Sequence, residues 1–147
     1  MANYSHILDI LPYTAPFLFV DQLISVSEEG ASGVYTFKQD EYFYKGHFID
    51  NPVTPGVILT ECMAQIGVVC LGIYLVSLQE SATENADKQI ALSSVAVDYL
   101  APVYPGETVT VRSEKEYFRF GKLKCKVSMR NAKNELVCKG TISGMMG

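Results

Sequence analysis

Tryptophan is absent from the 147-residue sequence, and histidine occurs only twice, as His6 and His47. The 12 lysines and arginines form no basic run with interleaved aromatic residues, and the formal charge is -4. Both observations argue against nucleic acid as a partner. A basic start followed by a long apolar run is also missing, so we expect no secretory signal and a cytoplasmic location.

Paired cysteine motifs are missing as well. Cys62, Cys70, Cys125 and Cys138 form no CxxC pair and no metal-type spacing with either histidine. We expect all four to be small core hydrophobes in a reducing compartment. Because the sequence also has no P-loop and no GxGxxG motif, we predict neither a metal nor another cofactor.

Apolar residues, in contrast, are plentiful. The sequence is 48% hydrophobic and 19% charged, a composition and length that suit one domain with a substantial core. No linker or repeat divides the chain. We therefore expect a single domain over residues 1–147.

One long apolar segment is predicted to form a buried helix. Thr54 before Pro55 is a helix-entry signature, and from Pro55 to about Ser77 the strongly polar residues are Thr60, Glu61 and Gln65. A helix that is apolar on every side is buried. Its fully apolar part is shorter than the roughly 20 residues of a membrane span, so we favour a core helix over a membrane helix.

Six β-prone stretches surround this helix in the sequence. Two precede it, at residues 17–27 and 32–38, and four follow it, at 90–100, 107–119, 122–130 and 136–146. A short helical turn is predicted at 7–12, a loop or short helix at 40–45 and a polar surface connection at 79–88. An antiparallel sheet wrapped around one helix, an α+β fold, is the arrangement that covers the helix with so few elements. Its edge strands and outer face lead us to expect a dimer.

Three residues in one short stretch provide acid–base chemistry. His47 is a candidate base, Glu61 a candidate acid, and Gly56 lies at a helix N-terminus, whose free N–H groups bind oxygen anions. Gln65, one helical turn after Glu61, shares its face. This set fits removal of a proton beside a carbonyl with loss of a β-substituent. A structural role for His47 and a capping or exposed position for Glu61 are the alternatives.

Several motifs resemble the (3R)-hydroxyacyl-acyl carrier protein dehydratases of the FabZ type, in family order from about Ile7 to the C-terminus. The motifs are Leu11-Pro12, Pro16-Phe17-Leu18-Phe19-Val20-Asp21, Gly46-His47-Phe48, Pro52-Val53-Thr54-Pro55-Gly56-Val57, Glu61-Cys62-Met63-Ala64-Gln65 and Pro102-Val103-Tyr104-Pro105-Gly106-Glu107. The resemblance implies a hot-dog fold, in which a curled antiparallel sheet wraps a long central helix. It implies dehydration of (3R)-3-hydroxyacyl thioesters to trans-2-enoyl thioesters.

The resemblance also implies roles for individual residues. His47 and Glu61 would be the catalytic pair, facing each other across a homodimer interface, and the Gly56 amide would bind the thioester oxygen. The substrate-binding set would further include Phe48, Pro55, Val57 and Gln65. Dimers would join into hexamers, and the substrate would arrive on an acyl carrier protein.

Two departures from the family pattern concern the substrate. The chain reads Tyr13-Thr14-Ala15 where FabZ-like chains usually read His-Arg-Tyr, and Thr54 stands where they usually have Met. Both leave the acid–base pair in place. They favour a specialised paralogue serving a polyketide-like, aryl-polyene or other secondary lipid pathway.

Two other functions remain open from the sequence. A hot-dog thioesterase would use a helix carboxylate to activate water, and a non-catalytic acyl-binding module would lack the acid–base pair. For carrier docking, the candidate residues are Lys45, Arg119, Lys122, Lys124 and Lys126. The last three alternate with apolar residues and so share one strand face, which is also the pattern of an ordinary solvated sheet face.

Overall fold

The computed structural model describes residues 4–79 and 90–146. Its helices are α1 (Ser5–Asp9), a 3-10 helix (Tyr42–Lys45), and a central helix, Gly56–Ser77. Its strands are β1 (Gln22–Ser27), β2 (Gly30–Thr36), β3 (Ile90–Tyr99), β4 (Thr108–Arg119), β5 (Lys122–Asn131) and β6 (Leu136–Met146). The predicted connection at 79–88 lies, apart from Gln79, outside the described residues.

The central helix is the core of the fold, as its sequence predicts. It has the length and mean hydropathy (1.9) of a membrane span. However, 83% of the 18-residue stretch with that hydropathy is buried inside the protein. Gly72 permits close contact with the sheet, since a Cβ there would lie 2.2 Å from Cδ1 of Ile90. The central helix is therefore packed against protein on nearly every side.

A π-helical turn, Gln65–Val69, interrupts the central helix between the α-helical segments Gly56–Ala64 and Cys70–Ser77. The apolar pattern did not predict it. All five residues of the turn are buried. Such turns are rare and frequently occur at functional sites, and this one begins at a residue of the candidate site, Gln65.

The six strands form one antiparallel sheet in the order β1-β2-β4-β5-β6-β3. This curled sheet around one long helix confirms the predicted hot-dog fold. Strand β3 has β6 on one side and no described strand on the other. Its exposed apolar side chains include Leu92, Val95 and Tyr99, so β3 is an open edge with apolar surface.

The predicted start of the first strand is wrong. Residues 17–21 are not in the sheet, and β1 begins at Gln22. The side chain of Gln65 provides the hydrogen bonds there: its Nε2 donates to the Phe17 carbonyl at 3.0 Å, and its Oε1 accepts from the Phe19 amide at 2.8 Å. A side chain of the central helix thus replaces a neighbouring strand.

The predicted helix cap is also wrong. The helix begins at Gly56, and the residue before it, Pro55, makes no side-chain cap hydrogen bond. The Thr54 hydroxyl is instead hydrogen-bonded to the Tyr44 hydroxyl at 2.5 Å, and both residues are buried. Thr54 therefore fastens the preceding loop and leaves the first amides of the helix uncapped.

Candidate active site

His47 is held in one tautomer by its loop. Its Nδ1 lies 2.7 Å from the carbonyl oxygen of Val53. Because a carbonyl oxygen only accepts, Nδ1 carries the hydrogen of the neutral ring, and Nε2 keeps a lone pair. The ring also stacks on Phe48, with centroids 4.5 Å apart and planes at 13°. The imidazole is therefore oriented, with its basic nitrogen free to accept a proton.

The loop that carries His47 is closed at its base. Besides the Tyr44–Thr54 hydrogen bond, the Thr54 amide donates to the Val103 carbonyl at 2.8 Å. Burial raises the pKa of Tyr44 to about 12, so its hydroxyl remains protonated. These bonds fix both ends of the segment between the 3-10 helix and the central helix.

A groove of about 460 Å³ opens beside His47. It is bounded by the loop that carries His47, by the first turn of the central helix, and by residues 99–102 at and after the end of β3. The lining residues are His47, Phe48, Val53, Thr54, Gly56, Leu59, Tyr99, Leu100, Ala101 and Pro102. Apart from His47, Gly56 and the two residues with hydroxyls, Thr54 and Tyr99, the lining is apolar. An apolar lining suits an acyl chain.

Gly56 brings the N-terminus of the central helix into this groove. Within the described residues, no hydrogen bond is formed by the Gly56 or Val57 amide, whereas the Ile58 and Leu59 amides both donate to the Pro55 carbonyl. Free amides at a helix N-terminus attract an oxygen that carries negative charge. The predicted oxyanion site and His47 therefore share one groove.

Glu61 belongs to a different cluster. It is half-buried, and one carboxylate oxygen accepts from Nε2 of the fully buried Gln65 at 3.0 Å. Burial and then the charge of Glu61 raise the pKa of Tyr13 to about 12. Tyr13, a residue that departs from the family pattern, is therefore close to the candidate acid.

Within one chain, His47 and Glu61 do not share a groove. Glu61 is five residues after Gly56, which places it about 140° further around the helix, and it does not line the groove that holds His47. Glu61 is hydrogen-bonded to Gln65, and it is Gln65 that in turn donates to the Phe17 carbonyl. One chain therefore holds the candidate base and the predicted oxyanion site in one groove and the candidate acid outside that groove.

The remaining predicted substrate residues are placed differently from one another. Phe48 lines the groove and is 65% exposed, whereas Val57 is 73% exposed and outside the groove lining. Pro55 is half-buried just before the helix. Gln65 is fully buried and makes three hydrogen bonds within the protein, which use both hydrogens of its Nε2.

Sequence reasoning missed the contribution of β3. Tyr99 lines the groove, and its hydroxyl is hydrogen-bonded to the Thr60 hydroxyl at 2.5 Å, 39 residues away in sequence. Periodicity describes one element at a time and carries no information on which strand end meets which helix turn. The sequence signal that could have pointed to this segment is the family-like motif beginning at Pro102, directly after β3.

Four of the five predicted basic residues lie on one strand pair, β4 and β5. Arg119 pairs with Lys122 at the tip of the β4–β5 hairpin, and its guanidinium stacks on Tyr117 at 4.4 Å. Lys124 and Lys126 continue the same face of β5, with Lys124 4.0 Å from Glu116. Lys45 ends the 3-10 helix beside the His47 loop, which is at the other end of β3 from this hairpin.

The four cysteines are buried thiols, as predicted. Burial raises the pKa of Cys70, Cys125 and Cys138 to about 12 each and that of Cys62 well above its ordinary value. A thiol that stays protonated is a poor nucleophile. In the described part of the chain, no three His, Cys, Asp or Glu residues are placed to hold a metal ion.

Comparison with known sequences places the chain in a family. A family model described as a FabA-like domain matches residues 11–142. The 3-hydroxyacyl-[acyl-carrier-protein] dehydratase FabZ of Caldicellulosiruptor bescii is 34% identical over 145 residues, which cover 97% of this chain and 96% of that protein. The FabZ of Lactococcus lactis subsp. cremoris MG1363 is 30% identical over 146 residues, covering 99% and 95%.

Comparison with solved structures supports the fold. The dehydratase heterocomplex ApeI:P from Xenorhabdus doucetiae has a chain that matches with a TM-score of 0.79 at 15% identity, covering 100% of this chain and 92% of that one. A hypothetical thioesterase from Streptococcus pneumoniae TIGR4, crystallised with coenzyme A, matches at 0.61 and 14%, covering 86% and 84%. Identities this low show a shared fold, and the sequence relatives decide between the two activities. The chain belongs to the FabA-like family, among its FabZ-type dehydratases, which are hydro-lyases.

Proposed function

We propose that this chain dehydrates (3R)-3-hydroxyacyl groups, carried as thioesters on an acyl carrier protein, to trans-2-enoyl groups, with His47 as the base. The observation that carries this assignment is the hydrogen bond from Nδ1 of His47 to the Val53 carbonyl. It presents a lone pair on Nε2 to the same groove as the free amide of Gly56. A base beside an oxyanion site is what proton removal next to a carbonyl requires.

The reaction begins at the carbonyl. The Gly56 amide, aided by the helix dipole, hydrogen-bonds the thioester oxygen and stabilises the negative charge that develops on it. Nε2 of His47 takes a proton from C2, and Glu61, in its protonated form, gives that proton to the hydroxyl leaving C3 and becomes a carboxylate. Water departs and the C2–C3 double bond forms. Gln65 positions Glu61 through the 3.0 Å hydrogen bond and touches no substrate.

The acid comes from a second copy of the chain in this proposal. In one subunit Glu61 lies outside the His47 groove, so each complete site needs two subunits. Strand β3 is an open edge with exposed apolar residues, and pairing it with the β3 of a second copy about a two-fold axis makes the two strands antiparallel. We propose this dimer as the active form, and a trimer of such dimers as a further assembly.

The same pairing gives the basic hairpin a role in carrier docking. Met145 pairs with Lys122 on β5 and with Ala91 on β3, so the hairpin tip lies two strands, or about 10 Å, from the start of β3. In an antiparallel dimer that start lies beside the partner's Tyr99, and hence beside the partner's groove. An acidic carrier docked at that groove would then meet Arg119, Lys122, Lys124 and Lys126. Lys45 of the partner subunit would lie on the opposite side of the groove.

The acyl group is proposed to be a lipid or polyketide-like chain, since the groove lining is mostly apolar. Thr54 and Tyr13, which depart from the family pattern, lie beside the groove and beside Glu61 respectively. They support a specialised pathway. A cytoplasmic location is part of the same proposal.

The experiment that tests the activity uses two thioesters. Purified chain is incubated with a 3-hydroxyacyl or a trans-2-enoyl pantetheine thioester, and enoyl absorbance and free thiol are followed together. We expect the enoyl absorbance to change in both directions with no thiol released. Thiol release without interconversion would instead identify a thioesterase, and no change in either signal would identify a binding module.

A further inference from the structure

Tyr99 closes the groove over the start of the central helix. A Cβ placed on Gly56 would lie 3.1 Å from two atoms of the Tyr99 ring. That separation is shorter than ordinary van der Waals contact, so the ring already occupies the space a side chain at position 56 would need. The ring of a β3 residue therefore leaves little room for a side chain at position 56.

The ring is fastened in this place. The Tyr99 hydroxyl is hydrogen-bonded to the Thr60 hydroxyl at 2.5 Å, and Thr60 is buried, only 8% exposed. Tyr99 itself is 49% exposed. A half-exposed tyrosine held at its tip by a buried partner is fixed in angle, so the wall it forms does not swing freely.

The proposed chemistry determines which part of the substrate lies near the Tyr99 ring. With the thioester oxygen on the Gly56 amide, C2 is one bond from the carbonyl carbon, and the hydrogen that leaves C2 faces His47. The other substituent on C2 points away from His47. The Tyr99 ring touches Gly56 and lines the same groove as His47, so it lies next to the bound carbonyl and within reach of a second substituent on C2.

We infer that Tyr99, tethered by Thr60, is the residue that restricts the substrate to acyl chains unbranched at C2. The inference rests on the proposed function and deepens it. A methyl group on C2 would need the volume that the ring fills. Excluding one methyl group from a packed pocket changes discrimination by roughly 10- to 200-fold.

The test compares trans-2-butenoyl pantetheine with its 2-methyl derivative, using the ratio of kcat/KM for hydration as the readout. The ratio cancels losses of active protein, which a merely structural role would cause. Tyr99→Ala should raise the relative rate on the 2-methyl substrate by about tenfold or more. Tyr99→Leu, which keeps an apolar side chain, should move the ratio in the same direction if the alanine variant does not fold.

The tether is tested with variants that keep the ring. Tyr99→Phe and Thr60→Val each remove one half of the hydrogen bond, so we expect equal shifts in the ratio, smaller than that of Tyr99→Ala. The double variant should shift it no further, since both changes remove the same interaction. Additive shifts would show that the two hydroxyls act separately and would overturn the tether.

The matched control is Tyr42→Ala, which removes the same atoms from a tyrosine that is 48% exposed and outside the groove. Its ratio should equal that of the wild type. An unchanged ratio in Tyr99→Ala and Tyr99→Leu, or an equal change in Tyr42→Ala, overturns the inference while leaving the dehydratase in place. A wild-type chain that hydrates neither thioester overturns the proposed function and this inference with it.

Discussion

Nδ1 of His47 lies 2.7 Å from the carbonyl oxygen of Val53, six residues further along the same loop. This contact specifies which ring nitrogen carries the hydrogen and which keeps the lone pair that our proposal assigns to proton transfer. The Tyr44–Thr54 hydrogen bond joins the two residues that flank this contact in the sequence. The position of the base therefore depends on both interactions.

Replacing His47 with alanine should lower the rate of 2-enoyl thioester hydration by about 10²- to 10⁴-fold, the usual contribution of a positioned base. His6→Ala, at the other histidine, is the matched control and should keep the wild-type rate. Circular dichroism and a thermal melt check that both variants fold. A folded His47→Ala variant with near-normal turnover would remove the histidine from the mechanism.

Tyr44→Phe should destabilise the protein, because it leaves the buried Thr54 hydroxyl without its partner. A buried polar group left unpaired costs about 1–3 kcal/mol. The free energy of unfolding in urea measures this loss. Tyr42→Phe removes an equivalent hydroxyl from an exposed ring and should change stability by less than about 0.5 kcal/mol. Equal effects in the two variants would show that the loop does not depend on this bond.

Glu61→Gln keeps the shape of the side chain but removes its proton-donating carboxyl group. Turnover should fall strongly, with KM nearly unchanged, because the acid acts on the leaving hydroxyl in the transition state. Glu114→Gln, at an exposed acid of β4, is the control. If turnover per folded molecule stays normal and only stability falls, Glu61 has a structural role.

Substituting both Lys122 and Lys124 by Glu should raise KM for carrier-bound substrate, more at low salt than at high salt, because exposed charges act mainly on association and are screened. A pantetheine thioester should be unaffected. The matched control, Lys133→Glu with Lys139→Glu, makes the same change in charge away from the hairpin. Equal effects of the two double variants would show that net charge, and not this hairpin, governs docking.

The sequence predicted the central helix and the strands after it almost to the residue. Its apolar run could only be a core helix, and turn residues bound the later strands. The errors at Phe17 and Thr54 share one physical cause. In both places a hydrogen bond from a distant side chain, of Gln65 or of Tyr44, replaced the local interaction that the pattern indicated.

The candidate acid–base residues could be chosen from the sequence, since His47, Gly56 and Glu61 lie within one short segment, and their roles stay predictions. Tyr99 could not be chosen in this way, because only the folded chain brings the end of β3 to the first turn of the helix. The π-helical turn was likewise hidden, since its residues are as apolar as the α-helical turns that flank it.

The central claim is a site shared between two subunits, with His47 from one and Glu61 from the other. The most direct measurement mixes inactive His47→Ala chains with inactive Glu61→Gln chains, exchanges subunits, and measures hydration in the mixture. Random exchange makes half of the dimers mixed, and each mixed dimer has one intact site, so about a quarter of the wild-type activity per site should return. Mixed dimers detected by mass spectrometry with no activity regained would contradict the shared site.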